Sequence, residues 1–290
     1  MTLDILIFWI VLSLNYVLLA TGLTLTVSIM RIVNLAHGNF YMAGAYVFLV
    51  FFYQAKLPYG IALLLSILSV GGLGMLTEAK LYRPLGGRIE PSIVCMSGVL
   101  LVLEGIAILI FGPDIRGLPR LLTGTITIGK TVVNIERISV AALALLIITG
   151  LFYFLKYTKL GKSIRATAQD REAASLMGIN ANLISSLSMG IGTALAVIAG
   201  IQITAVYHLS PFVGIGALGT SILIITLGGM GSIIGALIAA FIIGFCDSFG
   251  AAIIGRYHHL LSFGTVMLIL LLRPLGLLGI PFIEVRGKGK

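Results

Sequence analysis

The sequence predicts an all-α polytopic membrane protein of eight to nine transmembrane helices, some of them broken or re-entrant. Three observations lead there. Of 290 residues, 59% are apolar and only 10% are charged, against about 25% charged in soluble domains. Nine apolar runs approach or exceed the length that crosses about 30 Å of hydrocarbon as helix. Glycine reaches 36 residues, which membrane helices use for close packing and aqueous helices tolerate poorly. The composition excludes a soluble enzyme, a disordered chain and a disulfide scaffold. Residues 1–290 read as one transmembrane domain.

The runs fall near 5–29, 38–53, 59–77, 91–111, 138–155, 187–206, 213–229, 231–250 and 258–280. The first follows Met1-Thr-Leu-Asp4, which lacks a basic n-region, so it reads as a retained span and not as a cleaved signal. The second is short. Where it begins, Asn34, His37 and Asn39 surround Gly38 and predict a helix break. That cluster is either a hydrogen-bonded structural unit or part of a gate beside an inner vestibule. The fourth run holds Glu104, and Asn15, Gln202 and Asp247 are buried in other runs. A charge at the bilayer centre costs about 2.5–3.5 kcal/mol, so these residues either bond between helices or line a pathway. Cys95 and Cys246 lie far apart in apolar runs and read as packing residues.

Segment 112–137 predicts an external β-hairpin. Within it, residues Gly124 to Thr131 match the P-loop pattern, but alternating Thr and Ile form a strand, which does not wrap phosphate. Residues Gly214, Gly216 and Gly219 match a dinucleotide fingerprint without the preceding strand, and read as helix-start glycines. No metalloprotease or serine-nucleophile motif is present, and no metal site is expected.

The seventh and eighth runs form either two spans or one broken unit. Gly228, Ser232, Ala236, Ala240 and Gly244 recur every four residues, as do Gly192, Ala196, Gly200 and Thr204. Such stripes let backbones approach closely. The run Gly228-Gly229-Met230-Gly231 also suits a helix break whose unwound backbone faces a cavity.

Charge sets the orientation. With the N-terminus outside and nine crossings, 13 of the 19 basic residues fall on the inner side, five of them in the loop 156–186. The positive-inside rule therefore puts the N-terminus outside and the C-terminus in the cytoplasm of a cell (inner) membrane. The net charge of +9 reads as a topology signal, with no nucleic-acid partner implied. In the cytoplasmic loop, Ala166, Asp170, Ala173, Ala174 and Met177 share one helix face, and Gly178 suits its left-handed stop. A helix over 163–178 is expected, either solvated near anionic lipid or docked to a cytoplasmic partner.

That loop resembles the coupling region of branched-chain amino-acid ABC importer permeases. Further similar stretches run in order along the chain: Ala20 to Leu25, Arg31 to Tyr46, Arg83-Pro84-Leu85, Leu227 to Ala236 and Arg273 to Gly279. The start at Asn34-Leu-Ala-His-Gly38 resembles the LivH-type subunit. Glu104, Asp247 and Ile234 depart from the family pattern.

The resemblance implies a transport subunit and not an enzyme. It would assemble with a homologous second permease, two cytoplasmic ATPases and an external binding protein, all at the lipid bilayer. ATP and Mg would sit on the ATPases, leaving this chain without a cofactor. A coupling helix would comprise Gly161, Arg165, Ala166, Asp170, Ala173, Ala174, Gly178 and Ile179. The pathway would pass Asn34, His37, Gly38, Asn39, Gly44, Glu104, Gly228, Gly229, Gly231 and Ser232. An ion-coupled transporter or channel using Glu104 and Asp247 is the alternative.

Overall fold

The computed structural model describes residues 2–117, 122, 124–128 and 131–279. The elements are α1 (Thr2–Met30), α2 (His37–Leu49), α3 (Tyr59–Thr77), α4 (Ile89–Phe111), β1 (Thr125–Ile128), β2 (Thr131–Asn134), α5 (Ile135–Tyr157), α6 (Lys159–Gln169), α7 (Arg171–Leu176), α8 (Ala181–Val206), α9 (Val213–Gly228), α10 (Ile233–Ile254) and α11 (His259–Leu272). Each of the nine apolar runs contains a helix. Six of the described helices are long and apolar enough to cross a membrane; the shorter apolar α9 and α11 span 213–228 and 259–272.

Helix α1 packs chiefly on α10 and α8, and α8 also carries α2 and α3. Small residues make these approaches possible. Gly22 meets the Gly192 backbone, Gly200 meets the Tyr41 backbone and Gly244 meets Ser13, each so closely that a Cβ would collide. The two small-residue stripes therefore serve helix packing in this fold. By contrast α4 and α11 turn most of their apolar side chains outward, with Leu109 86% exposed. In water such surfaces would aggregate; lipid or a partner helix suits them.

Helix α2 starts halfway along α1. The His37 Nε2–H donates to the Leu19 carbonyl (3.0 Å). Residues 31–36, which lead into it, are irregular. Irregular backbone away from water needs internal partners, and Asn34 supplies them: its Oδ1 accepts from the Ala36 N–H (3.1 Å) and the Tyr82 hydroxyl (3.4 Å).

Two differences from the sequence expectation have physical causes. The loop helix expected over 163–178 is two helices. Asp170 leaves helical geometry (φ −148°) and its Oδ1 accepts from the Glu172 and Ala173 N–H groups. An aspartate that offers the backbone this alternative breaks a helix and caps the next. The last run, expected to reach 280, stops at Leu272, before Pro274. Residues 273–279 then fold back, and the Leu277 and Leu278 amides bond the carbonyls of Leu227 and Gly228. Those carbonyls end α9 and would otherwise lack partners. The β-hairpin expected within 112–137 is present: the Gly124–Thr131 match is divided between two antiparallel strands, with Thr125 opposite Asn134 and Ile128 opposite Thr131. Its Gly129 and Lys130 lie outside the described residues, as do Arg120, Arg286, Lys288 and Lys290.

Candidate functional site

The N-terminal turns of α2 and α9 meet at Gly38 and Gly214. A Cβ on Gly38 would lie 1.9 Å from the Gly214 carbonyl oxygen, and one on Gly214 would lie 2.6 Å from Asn39 Oδ1. The Asn39 side-chain amide donates to the Leu100 carbonyl of α4 (2.8 Å). Glu104 lies one turn further along α4, half-buried, and its Oε2 has no hydrogen-bond partner. Neither do His37 Nδ1, Asn39 Oδ1 and Gln202 Nε2. Buried polar atoms are normally paired, so the unpaired atoms of His37, Asn39 and Glu104 mark a polar patch where α2, α4 and α9 approach.

Beside the junction opens a cavity of about 470 Å³ between α1, α8, α9 and α10. Its apolar wall includes Phe8, Leu12, Leu19, Ile203 and Val213. Its polar groups are Asn15, Tyr16, Tyr41, Tyr207, Thr220, Asp247, His258 and His259. The first two turns of α9, through Val213, Gly216, Ala217 and Thr220, form part of the wall. Asp247 is 3% exposed and held firmly. The Tyr16 hydroxyl donates to its Oδ2 (2.7 Å), the Ser262 hydroxyl donates to its Oδ1, and His259 Nδ1 stands 3.6 Å from Oδ1. The Asn15 side-chain amide donates to Gln202 Oε1 (3.1 Å), closing the adjacent wall. An apolar cleft with a few converging polar groups is the usual form of a small-ligand site.

The expected pathway residues divide into several groups. Asn34, His37, Gly38 and Asn39 do gather at the α2 break. Gly44 lies further along α2 against Val197. Gly228, Gly229, Gly231 and Ser232 form a separate turn between α9 and α10. There Gly229 (φ +98°) and Gly231 (φ +88°) break the helix, Ser232 Oγ caps α10 (3.0 Å), and the Gly231 carbonyl accepts from Ser28 (3.2 Å). None of these residues lines the 470 Å³ cavity. Tyr16, Tyr41, Tyr207, Thr220, His258 and His259 were not singled out from sequence. The His258-His259 pair, half of the chain's four histidines, was the available signal.

The loop residues also divide. Gly161 and Ala174 are buried, and Gly161 packs on the Phe154 carbonyl and Leu155 at the end of α5. Arg165, Asp170, Ala173 and Gly178 are exposed, while Ala166 and Ile179 are half-buried. Gly178 (φ +83°) ends α7, with Ile179 N–H bonding the Ala174 carbonyl and Gly178 N–H the Ser175 carbonyl. This is a Schellman turn. It thrusts Leu176 (88% exposed) and Met177 (83%) outward; Leu176 was not anticipated. Arg171 ties the loop to α8 through Asn182 Oδ1 (2.9 Å) and Ser185 Oγ (2.8 Å). Arg83 of the Arg-Pro-Leu turn reaches the same stretch through the Asn182 carbonyl and Ser186, and pairs with buried Glu78 (2.6 Å).

Comparison with known proteins agrees with this architecture. Residues 5–271 match the family model of the branched-chain amino acid transport system / permease component. The chain is 32% identical to the high-affinity branched-chain amino acid transport system permease protein BraD of Pseudomonas aeruginosa, over 93% of each chain. It is 30% identical to LivH of Escherichia coli K12, again over 93% of each. A partial similarity, 29% over 42% of this chain and 40% of the relative, links it to the ribose import permease RbsC of Haemophilus influenzae. No solved structure matches. With the family model covering nearly the whole helical bundle, the chain belongs to the permease components of branched-chain amino acid transport systems.

Proposed function

We propose that this chain is the membrane-spanning permease of an ABC importer for branched-chain amino acids, and that the 470 Å³ cavity receives the substrate. The observation that carries this is the pairing of a buried carboxylate with an apolar wall and a helix N-terminus in one cleft. Asp247 takes the substrate ammonium. The N-terminal turn of α9 presents the positive end of its dipole to the carboxylate. The apolar wall takes the branched side chain. From there the path continues past Asn34, His37, Gly38, Asn39 and Gly44, beside Glu104, toward the Gly228, Gly229, Gly231 and Ser232 turn. Eight to nine membrane segments, with α2 and α9 starting within the bilayer, give the broken-helix plan.

The N-terminus faces outward and α6–α7 face the cytoplasm, where one of two ATPases grips Arg165, Ala166, Asp170, Ala173 and Gly178. A homologous permease completes the pore, and an external binding protein delivers substrate. ATP and Mg act on the ATPases, and this chain itself needs no cofactor. ATP closure moves the pore only if the docked states differ in energy across this contact. Arg171, joining α7 to α8, transmits the difference.

The test is uptake of labelled leucine into proteoliposomes containing the assembled complex. ATP- and binding-protein-dependent accumulation is expected. Uptake that survives ATP depletion and collapses with a protonophore would replace this reading with ion coupling through Glu104 and Asp247.

A further inference from the structure

We propose that Asp247, His258 and His259 form a binding site for a zinc-type divalent cation at the wall of the cavity. One oxygen of Asp247 and one nitrogen of each imidazole lie within 4.8 Å of one another. Asp247 comes from α10, and the two histidines come from the turn that leads into α11. Bonds of about 2.0–2.1 Å in a tetrahedron set ligand atoms about 3.3 Å apart. The His259–Asp247 pair, at 3.6 Å, is already near that spacing, and the third ligand needs only a small inward shift.

The surroundings prepare these groups as ligands. The Tyr16 and Ser262 hydroxyls donate to the two Asp247 oxygens and orient the carboxylate. A carboxylate has about four lone-pair sites, so both hydroxyl bonds leave capacity for an ion. His258 Nδ1–H donates to the Gly255 carbonyl (3.1 Å). That bond fixes the tautomer whose Nε2 carries the lone pair, as backbone carbonyls do for metal-binding histidines. His258 is seated by its backbone and Cβ, which pack on Gly250. The imidazole rings lie 4.0 Å apart and tilted by 40°, which keeps the two side chains adjacent at the cavity wall. Two nitrogens and one oxygen suit zinc, copper or nickel over magnesium or calcium. Three protein ligands leave a fourth position open to the cavity.

The site shares Asp247 with the proposed substrate contact, so a bound cation and the substrate ammonium compete for that carboxylate; metal binding without substrate tests the site separately from transport. Tag-free transporter, purified with its partner subunits in lipid nanodiscs, is titrated with zinc chloride against a fluorescent chelator. The native chain takes up zinc, and zinc X-ray absorption reports nitrogen and oxygen donors. His258→Ala/His259→Ala, at exposed or half-buried positions, weakens binding by at least about tenfold while leaving the thermal transition unchanged. Millimolar magnesium does not compete. Absent zinc uptake, an unchanged affinity in the double variant, or sulfur donors at the ion would each overturn the assignment.

Discussion

Asp247 and Gly38 illustrate two ways in which one residue controls this bundle. Asp247, only 3% exposed, receives two hydroxyl donors. Hydrogen bonds to a charged group contribute about 1.5–3 kcal/mol. Asp247→Asn keeps the shape and removes the charge, so leucine uptake at matched membrane levels falls about tenfold or more; unchanged uptake would remove Asp247 from the substrate site. Tyr16→Phe removes one donor only and has the smaller effect. Gly38 works through volume. Its Cβ would strike the Gly214 carbonyl, so Gly38→Ala forces α2 off α9 and destabilises the protein by about 1–3 kcal/mol. Gly216→Ala, on α9 and facing open space, leaves the melting temperature of detergent-purified protein near that of the native chain. Equal loss in the two variants would contradict this packing.

At the scale of elements, the α6–α7 loop is a clamp with an apolar tip. Arg171 fixes it to α8, and the Schellman turn presents Leu176 and Met177. Leu176→Glu with Met177→Glu is expected to leave insertion intact and abolish copurification of the ATPase subunits. Normal copurification and uptake would move the docking surface elsewhere. Arg171→Ala is expected to keep the ATPases bound but lower uptake per ATP hydrolysed, which a paired uptake and phosphate-release assay measures.

The helices themselves were legible, because apolar length is a one-dimensional property of the chain. The αL stop at Gly178 was legible for the same reason. The break at Asp170 was not, since a capping residue and a helical face residue carry the same letter. The cavity was not legible either: Tyr16, Tyr207 and His259 come from separate parts of the sequence, and only the α1–α8–α10 packing unites them. The Asn34–Asn39 break was visible as polar residues around a glycine, but its position halfway along α1 depended on His37 bonding the Leu19 carbonyl.

For the whole molecule, the uneven distribution of charge and the unequal burial of the helices tell a consistent story. Helix α8 is the shared axis, and α4 and α11 form the periphery. The proposed orientation rests on the basic loop 156–186. A Leu176→Cys variant, in a background with Cys95 and Cys246 replaced by Ala, is expected to react with a membrane-impermeant maleimide only from the cytoplasmic side. Labelling of intact cells from outside would invert the topology.

The fold-back of residues 273–279 also bears on how the protein is made. The amides that complete the end of α9 belong to Leu277 and Leu278, about fifty residues downstream. Ribosomal synthesis must therefore release both α10 and α11 before α9 acquires its final partners. Until then the Leu227 and Gly228 carbonyls have to find water at a membrane face. Biogenesis of this permease accordingly ends with a latch, and a nascent chain stalled after Leu272 would expose α9 to quality-control proteases that the finished chain resists.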